Sequence, residues 1–245
     1  MIGFRAGLGF LLPPGNPTIE HEMMAMCPAG NPAGVSLHFN RMVARGAPGS
    51  LDGQSERNAS MLAHLDESIA MLALVNPDII VIAHTATSYD LGRDEEARLL
   101  DRLAEASGTK VTTAFASVAA ALERLGVKRV ALGAPYSPAT TDKGRAHLEA
   151  HGFSVVHHDN LKGVVNIYDT TAEQAYRLAR AVDRPEAEAV FLSGTGMPTV
   201  SVIDMLETDL QKPVISSNSA MLWLALRACG VNRPVPGFGR LLTLD

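Results

Sequence analysis

The sequence predicts an α/β fold of two pseudo-symmetric lobes, each a mainly parallel sheet flanked by helices. Three observations predict it. Short apolar, β-rich runs alternate with amphipathic stretches along all 245 residues. Several runs, such as DIIVIA (78–83) and AVFLS (189–193), are continuous rather than alternating, as in strands covered on both faces. The chain also repeats itself weakly: IVIAHTATS (80–88) matches VFLSGTGMP (190–198), and KVTTAFASVAAALERLGV (110–127) matches KPVISSNSAMLWLALRACGV (212–231).

In order, strands are expected at 3–12, 34–39, 79–83, 110–113, 129–133, 154–157, 189–192 and 213–215. Helices are expected at 55–75, 95–106, 117–125, 140–151, 171–181, 199–209 and 219–228, where apolar residues recur at helical spacing, as Met61, Leu62, Leu65, Ile69 and Leu72 do. The repeat assigns 1–112 with 217–245 to one lobe and 113–216 to the other. No Pro/Gly/Ser-rich linker separates them, so the chain is expected to cross more than once. Ligands of such folds bind where strand C-terminal ends meet, which places a pocket at turns 13–18, 84–89, 134–138 and 193–198.

Hydrophobic residues make up 47% of the chain and charged ones 19%, which excludes a disordered or low-complexity chain. A net charge of -5 without a long basic run argues against nucleic acid as partner. No apolar run reaches membrane-spanning length, and the first residues do not resemble a secretory signal, so a cytoplasmic location and no membrane partner are expected. Cys27 and Cys229 stand far apart, with no CxxC and no Cys/His cluster; neither a disulfide framework nor a zinc site is encoded, and reduced thiols are expected.

Four turns hold residues suited to chemistry. Asn16 and Thr18 stand where the first strand gives way to a helix; they are suited to holding an anion or to capping that helix. His84 ends an apolar strand and is followed by Thr85, Thr87 and Ser88, an imidazole for proton transfer among hydroxyls that bind substrate oxygens. The competing reading is a histidine satisfied by a backbone carbonyl. Tyr136 ends another strand, with a phenol suited to a carboxylate or to packing beneath a proline turn. Gly194 and Gly196 flank Thr195, leaving amides for an oxyanion hole, in a pattern that is neither a dinucleotide fingerprint nor a phosphate loop. Ser216, Ser217 and Asn218 serve the site or cap the last helix, with capping preferred. His64, His147, His151, His157 and His158 are expected on helix faces or solvated surface.

PPGNPTIEHE (13–22), HFNRMV (38–43), AHTATS (83–88), GAPY (133–136), LSGTGMP (192–198), ISSN (215–218) and RPVPGFGRLL (233–242) together resemble the aspartate/glutamate racemase superfamily, on the branch of maleate cis–trans isomerases and arylmalonate decarboxylases. The resemblance spans nearly the whole chain in motif order. It implies a small carboxylate held between two facing turns, no metal, no organic cofactor and a homo-oligomer. In the family's racemases and isomerases each turn supplies a cysteine; those positions align with His84 and Gly194, and the internal repeat pairs the same two residues. Arylmalonate decarboxylases have glycine first and cysteine second, so this chain resembles their mirror image with a histidine. Asn16, Thr85, Tyr136, Asn166 and the 194–196 amides align with places where the family grips substrate oxygens. The implied activity is a cofactor-independent isomerase or decarboxylase working through an enolate-type intermediate, with His84 as acid or base and Thr195 orienting the reacting group. The alternatives are a hydratase or hydrolase with histidine-activated water, and a non-catalytic carboxylate-binding protein.

Overall fold

A computed structural model of the chain describes residues 2–27 and 34–245. Two four-stranded sheets share one strand order. β1 (Ala6–Leu12), β2 (Val35–Arg41), β3 (Ile79–Ile82) and β4 (Lys110–Thr113) run β2-β1-β3-β4; β5 (Arg129–Ala134), β6 (Ser154–Asn160), β7 (Ala189–Leu192) and β8 (Val214–Ser216) run β6-β5-β7-β8. Every pairing is parallel, with Leu8 opposite Ile79 and Val130 opposite Ala189. Both sheets therefore present their strand C-terminal ends on one side.

Helices fill the connections: α1 (Ile19–Met26), α2 (Gln54–Ala63), α3 (Leu65–Ala73), α4 (Thr85–Leu91), α5 (Arg93–Ser107), α6 (Ala114–Arg124), α7 (Pro138–Ala150), α8 (Ala172–Val182), α9 (Ile203–Leu210) and α10 (Ser217–Ala228). Among the described residues no helix is long and apolar enough to cross a membrane. α6 and α10, the two helices of the longer sequence repeat, pack against each other. Each starts on a hydroxyl cap: Thr113 Oγ1 accepts the Ala116 amide at 2.9 Å, and Ser216 Oγ accepts the Ser219 amide at 3.2 Å.

The strands are apolar on both faces because each face meets a different core. Leu8, Phe10 and Leu12 of β1, with Ile79 and Val81 of β3, enter a large cluster shared with the second sheet. Leu11, Ile80 and Ile82 point the other way, onto Met61, Leu65, Ile69 and Leu72.

The fold departs from expectation in three places. The single helix expected at 55–75 is two, because His64 leaves helical geometry at φ -113° and ψ 15° and its Nδ1 bonds the Ser60 carbonyl at 2.8 Å. The turn expected at 84–89 is a helix from Thr85 onward, with only His84 extended. The first strand starts at Ala6, because Gly3 turns the chain at φ +62°, whereas β2 and β6 run on to Arg41 and Asn160.

Candidate active site

A cleft partly open to solvent lies at the C-terminal ends of β1, β3, β5 and β7. Asn16, His84, Tyr136, Thr195 and Gly196 line it. These five bring all four expected turns to one place.

Asn16 both caps and faces the cleft. Its Oδ1 accepts the Thr18 and Ile19 amides at 2.9 and 3.1 Å, while its buried Nδ2 has no protein acceptor among the described residues. Thr18 Oγ1 donates to the Gly196 carbonyl at 2.8 Å, tying the first turn to the glycine-rich one.

His84 follows β3 directly. Its Nδ1 is buried and has no partner among the described residues, which counts against the reading of a histidine satisfied by a backbone carbonyl. Burial lowers its pKa to about 4, with Asp90 raising it and Arg57 lowering it further. The ring is neutral at pH 7.

The loop after β7 is fixed from three sides. Thr195 Oγ1 donates to the Ala83 carbonyl at 3.0 Å, beside His84. Asn218 Nδ2 donates to the Thr195 carbonyl at 3.2 Å and to Glu22 Oε2 at 2.6 Å. Glu22 Oε1 accepts the Thr199 and Val200 amides at 2.5 and 2.9 Å. Burial raises the Glu22 carboxyl pKa, and those bonds oppose the rise. Gly194 sits at φ +100°, where a Cβ would lie 2.8 Å from Pro135 Cγ, so this position admits no side chain. Of the three amides expected to serve an oxyanion, that of Gly194 donates to Ser217 Oγ at 3.2 Å. Those of Thr195 and Gly196 meet no acceptor among the described residues. Burial also raises the Tyr136 phenol pKa.

The other residues expected in the site support it instead of lining it. Thr85 Oγ1 donates to Ser217 Oγ at 2.9 Å, and Thr87 Oγ1 to the His84 carbonyl at 2.8 Å. Ser88 Oγ donates to buried Glu96 at 2.7 Å. Asn166 turns away: its Nδ2 donates to the Pro48 carbonyl at 3.1 Å and its Oδ1 accepts the Tyr168 amide. Ser217 and Asn218 brace the 194–195 loop, and capping falls to Ser216.

His147, expected on a helix face, is buried, with its Nε2 3.1 Å from Glu96 Oε2. Donor atoms of Glu96, His147 and His151 lie within 4.8 Å of one another, outside the cleft. Burial would raise the Glu96 carboxyl, but bonds from His147, Thr113 and Ser88 outweigh it and hold the pKa low. That carboxylate is satisfied by protein donors. Cys27 and Cys229 close α1 and α10, outside the cleft, and burial pushes both thiols up to about 11.

One wall escaped the sequence reading. Gln54, Arg57, Asn58 and Met61 of α2, with Pro48, Gly49 and Tyr168, cover the cleft. The signal was Arg57, a cation within the apolar stripe at 55–75 with no acid three or four residues away.

Comparison with known proteins agrees with this architecture. A maleate isomerase of Nocardia farcinica is 28% identical over 246 residues, covering 97% of this chain and 96% of that protein. An arylmalonate decarboxylase of Bordetella bronchiseptica is 30% identical over 169 residues, 66% of this chain and 70% of its own. Among solved structures, a variant of the Nocardia farcinica maleate cis–trans isomerase carrying a covalently bound succinylcysteine intermediate superimposes with a TM-score of 0.89 at 28% identity, covering 98% of this chain and 99% of that one. Unliganded arylmalonate decarboxylase shares the fold, with a TM-score of 0.77 at 22% identity over 97% of this chain and 98% of that one. The family model described as arylmalonate decarboxylase matches residues 8–242, both sheets and every turn around the cleft, and the chain belongs to that family.

Proposed function

We propose that the protein is a cofactor-independent isomerase or decarboxylase of a small carboxylate, working through an enolate-type intermediate with His84 as the proton-transfer group. One observation carries the reading: His84, whose Nδ1 has no partner among the described residues, shares a cleft with Asn16 Nδ2 and with the amides of Thr195 and Gly196, which likewise have none among them.

Those donors suit a carboxylate oxygen and stabilise the charge that develops when it becomes an enediolate. In isomerisation, neutral His84 takes a proton from an sp3 carbon next to the carboxylate; the C–H electron pair moves into the carboxylate as an enediolate, and the imidazolium returns the proton to a second, conjugated carbon, so that a double bond shifts. In decarboxylation, the bond to the departing carboxylate breaks and CO2 leaves. Its electron pair forms the same enediolate, and His84 relays a proton from solvent to the carbon. His84 and Gly194 stand where the resemblance places the family's cysteines, so no thiol adds to the substrate. A neutral ring facing the cleft can also activate water, which is the second reading.

A thermal-shift screen against mono- and dicarboxylates, maleate and phenylmalonate included, followed by turnover assays on the binders, tests the proposal. His84→Gln is expected to lower turnover by at least about 100-fold while the chain stays folded. Full activity in that variant would end the proposal. Oxygen from labelled water in the carbon skeleton of the product would select hydration or hydrolysis. Binding without conversion at any pH would identify a carboxylate-binding protein.

A further inference from the structure

Outside the cleft, α5, which follows β3 of the first sheet, meets α7, which follows β5 of the second. HLEAH (147–151) sets two imidazoles four residues apart at the end of α7, so both lie on one side of the helix. Glu96 reaches them from the first turn of α5, 51 residues before His147. One donor atom from each of the three lies within 4.8 Å of the others, and the two imidazole rings are 4.9 Å apart between centroids.

Glu96 and His147 are both buried. Glu96 Oε1 accepts the Ser88 and Thr113 hydroxyls, which fixes the carboxylate and leaves Oε2 beside His147 Nε2, 3.1 Å away. Hydrogen bonds of this kind orient the carboxylates that bind metals. Two ligand atoms on a tetrahedral zinc stand about 3.3 Å apart when each bond is about 2.0–2.1 Å, so Oε2 and Nε2 already have the spacing of two ligands. His151 adds what a hydrogen-bonded pair does not need: a buried Nε2 with no partner among the described residues. Phe115 backs both rings with apolar surface, its centroid 4.2 Å from that of His147 and 5.1 Å from that of His151. Among the described residues, no lysine or arginine pairs with Glu96, so this buried carboxylate has only an imidazole to meet its charge.

We propose that Glu96, His147 and His151 bind one zinc-class divalent ion, which clasps the two halves of the molecule at a site separate from the cleft. The ion takes the place of the proton between His147 Nε2 and Glu96 Oε2, and that proton passes to solvent. Two imidazole nitrogens with one carboxylate oxygen suit Zn2+ over Mg2+ and Ca2+, which take oxygen ligands. His151 is half-buried and caps the C-terminus of α7, so it is the ligand that draws in, and water fills the fourth position. The proposal is independent of the carboxylate reading and holds whether or not His84 transfers a proton.

Titration of the metal-depleted full chain with ZnCl2, read by calorimetry and by thermal unfolding, tests it. One equivalent is expected to bind and to raise the melting temperature by roughly 5–10 °C when free zinc is 100 times its dissociation constant. MgCl2 at the same concentration is expected to do neither. His151→Ala, a change at a half-buried helix end, is expected to weaken zinc binding at least about 10-fold and to lose the matching share of the thermal shift. His158→Ala removes a surface pair with Asp142 instead, and is expected to bind zinc as the wild type does. A wild type that binds no zinc, binding that survives in His151→Ala, or binding lost in His158→Ala each overturns the proposal. If His151→Ala does not fold, His151→Gln is read in the same way.

Discussion

His84 owes its charge state to the place where β3 ends. The strand delivers the ring from an apolar core into a cleft that holds Arg57, and both surroundings disfavour the imidazolium. A neutral base works wherever it stays unprotonated, so kcat/KM is expected to be level from neutral pH downward and to fall only near pH 4. Loss of activity above pH 4 to 5 would identify an acid instead. Stability follows the same shift. The unfolded histidine titrates near 6.5 and the folded one at about 4, so between those values the unfolded chain binds the extra proton. The contribution is complete above about pH 6.5 and is lost as pH falls toward 4, on the order of 3 kcal/mol in all. Urea denaturation at pH 7 and pH 5 is expected to show a smaller decline for His84→Gln than for the wild type. His84 was legible because a lone imidazole at a strand end among hydroxyls is unusual. Arg57 was not, because its place depends on a segment that folds back from residues 46–53 to residues 165–168.

At the scale of elements, α4 reaches α7 through a gap the size of a missing methyl group. A Cβ on Gly144 would lie 2.9 Å from Tyr89 Cε2, and Tyr89 in turn bonds Ser193 at 2.8 Å, just before the glycine-rich loop. Helix propensity alone favours Gly144→Ala, but the ring has nowhere to go. The variant is expected to lose about 1–3 kcal/mol in thermal unfolding and to turn over more slowly because Ser193 moves. An unchanged melting temperature would show that α7 can shift. Strands were readable because their apolar runs are continuous, whereas α6 and α10, expected from residues 117 and 219, start earlier, at Ala114 and Ser217, directly on the caps Thr113 and Ser216. The break at His64 was not readable, since the apolar stripe continues in register across it. The helix beginning at Thr85 was hidden by three hydroxyls that resemble a turn but are satisfied inside it, by Ser217, Glu96 and the His84 carbonyl.

Across the whole molecule, the duplication was written in the sequence and appears as two sheets of identical strand order. Their independence was not encoded. One apolar cluster takes Phe10 from the first sheet and Phe191 from the second, with Phe115 of α6 and Trp223 of α10 in the same body. Thr18, Thr195 and Glu22 carry hydrogen bonds between the two halves. Equilibrium unfolding is therefore expected to show one transition, with near- and far-ultraviolet circular dichroism coincident; two resolved transitions would mean that the sheets melt separately.

The position of the two thiols has a practical corollary. Both are protonated at working pH, and both sit at the far ends of helices that merely support the cleft. With His84 as the proposed reacting group, alkylation of both thiols is expected to leave turnover intact, and activity to persist without added reductant.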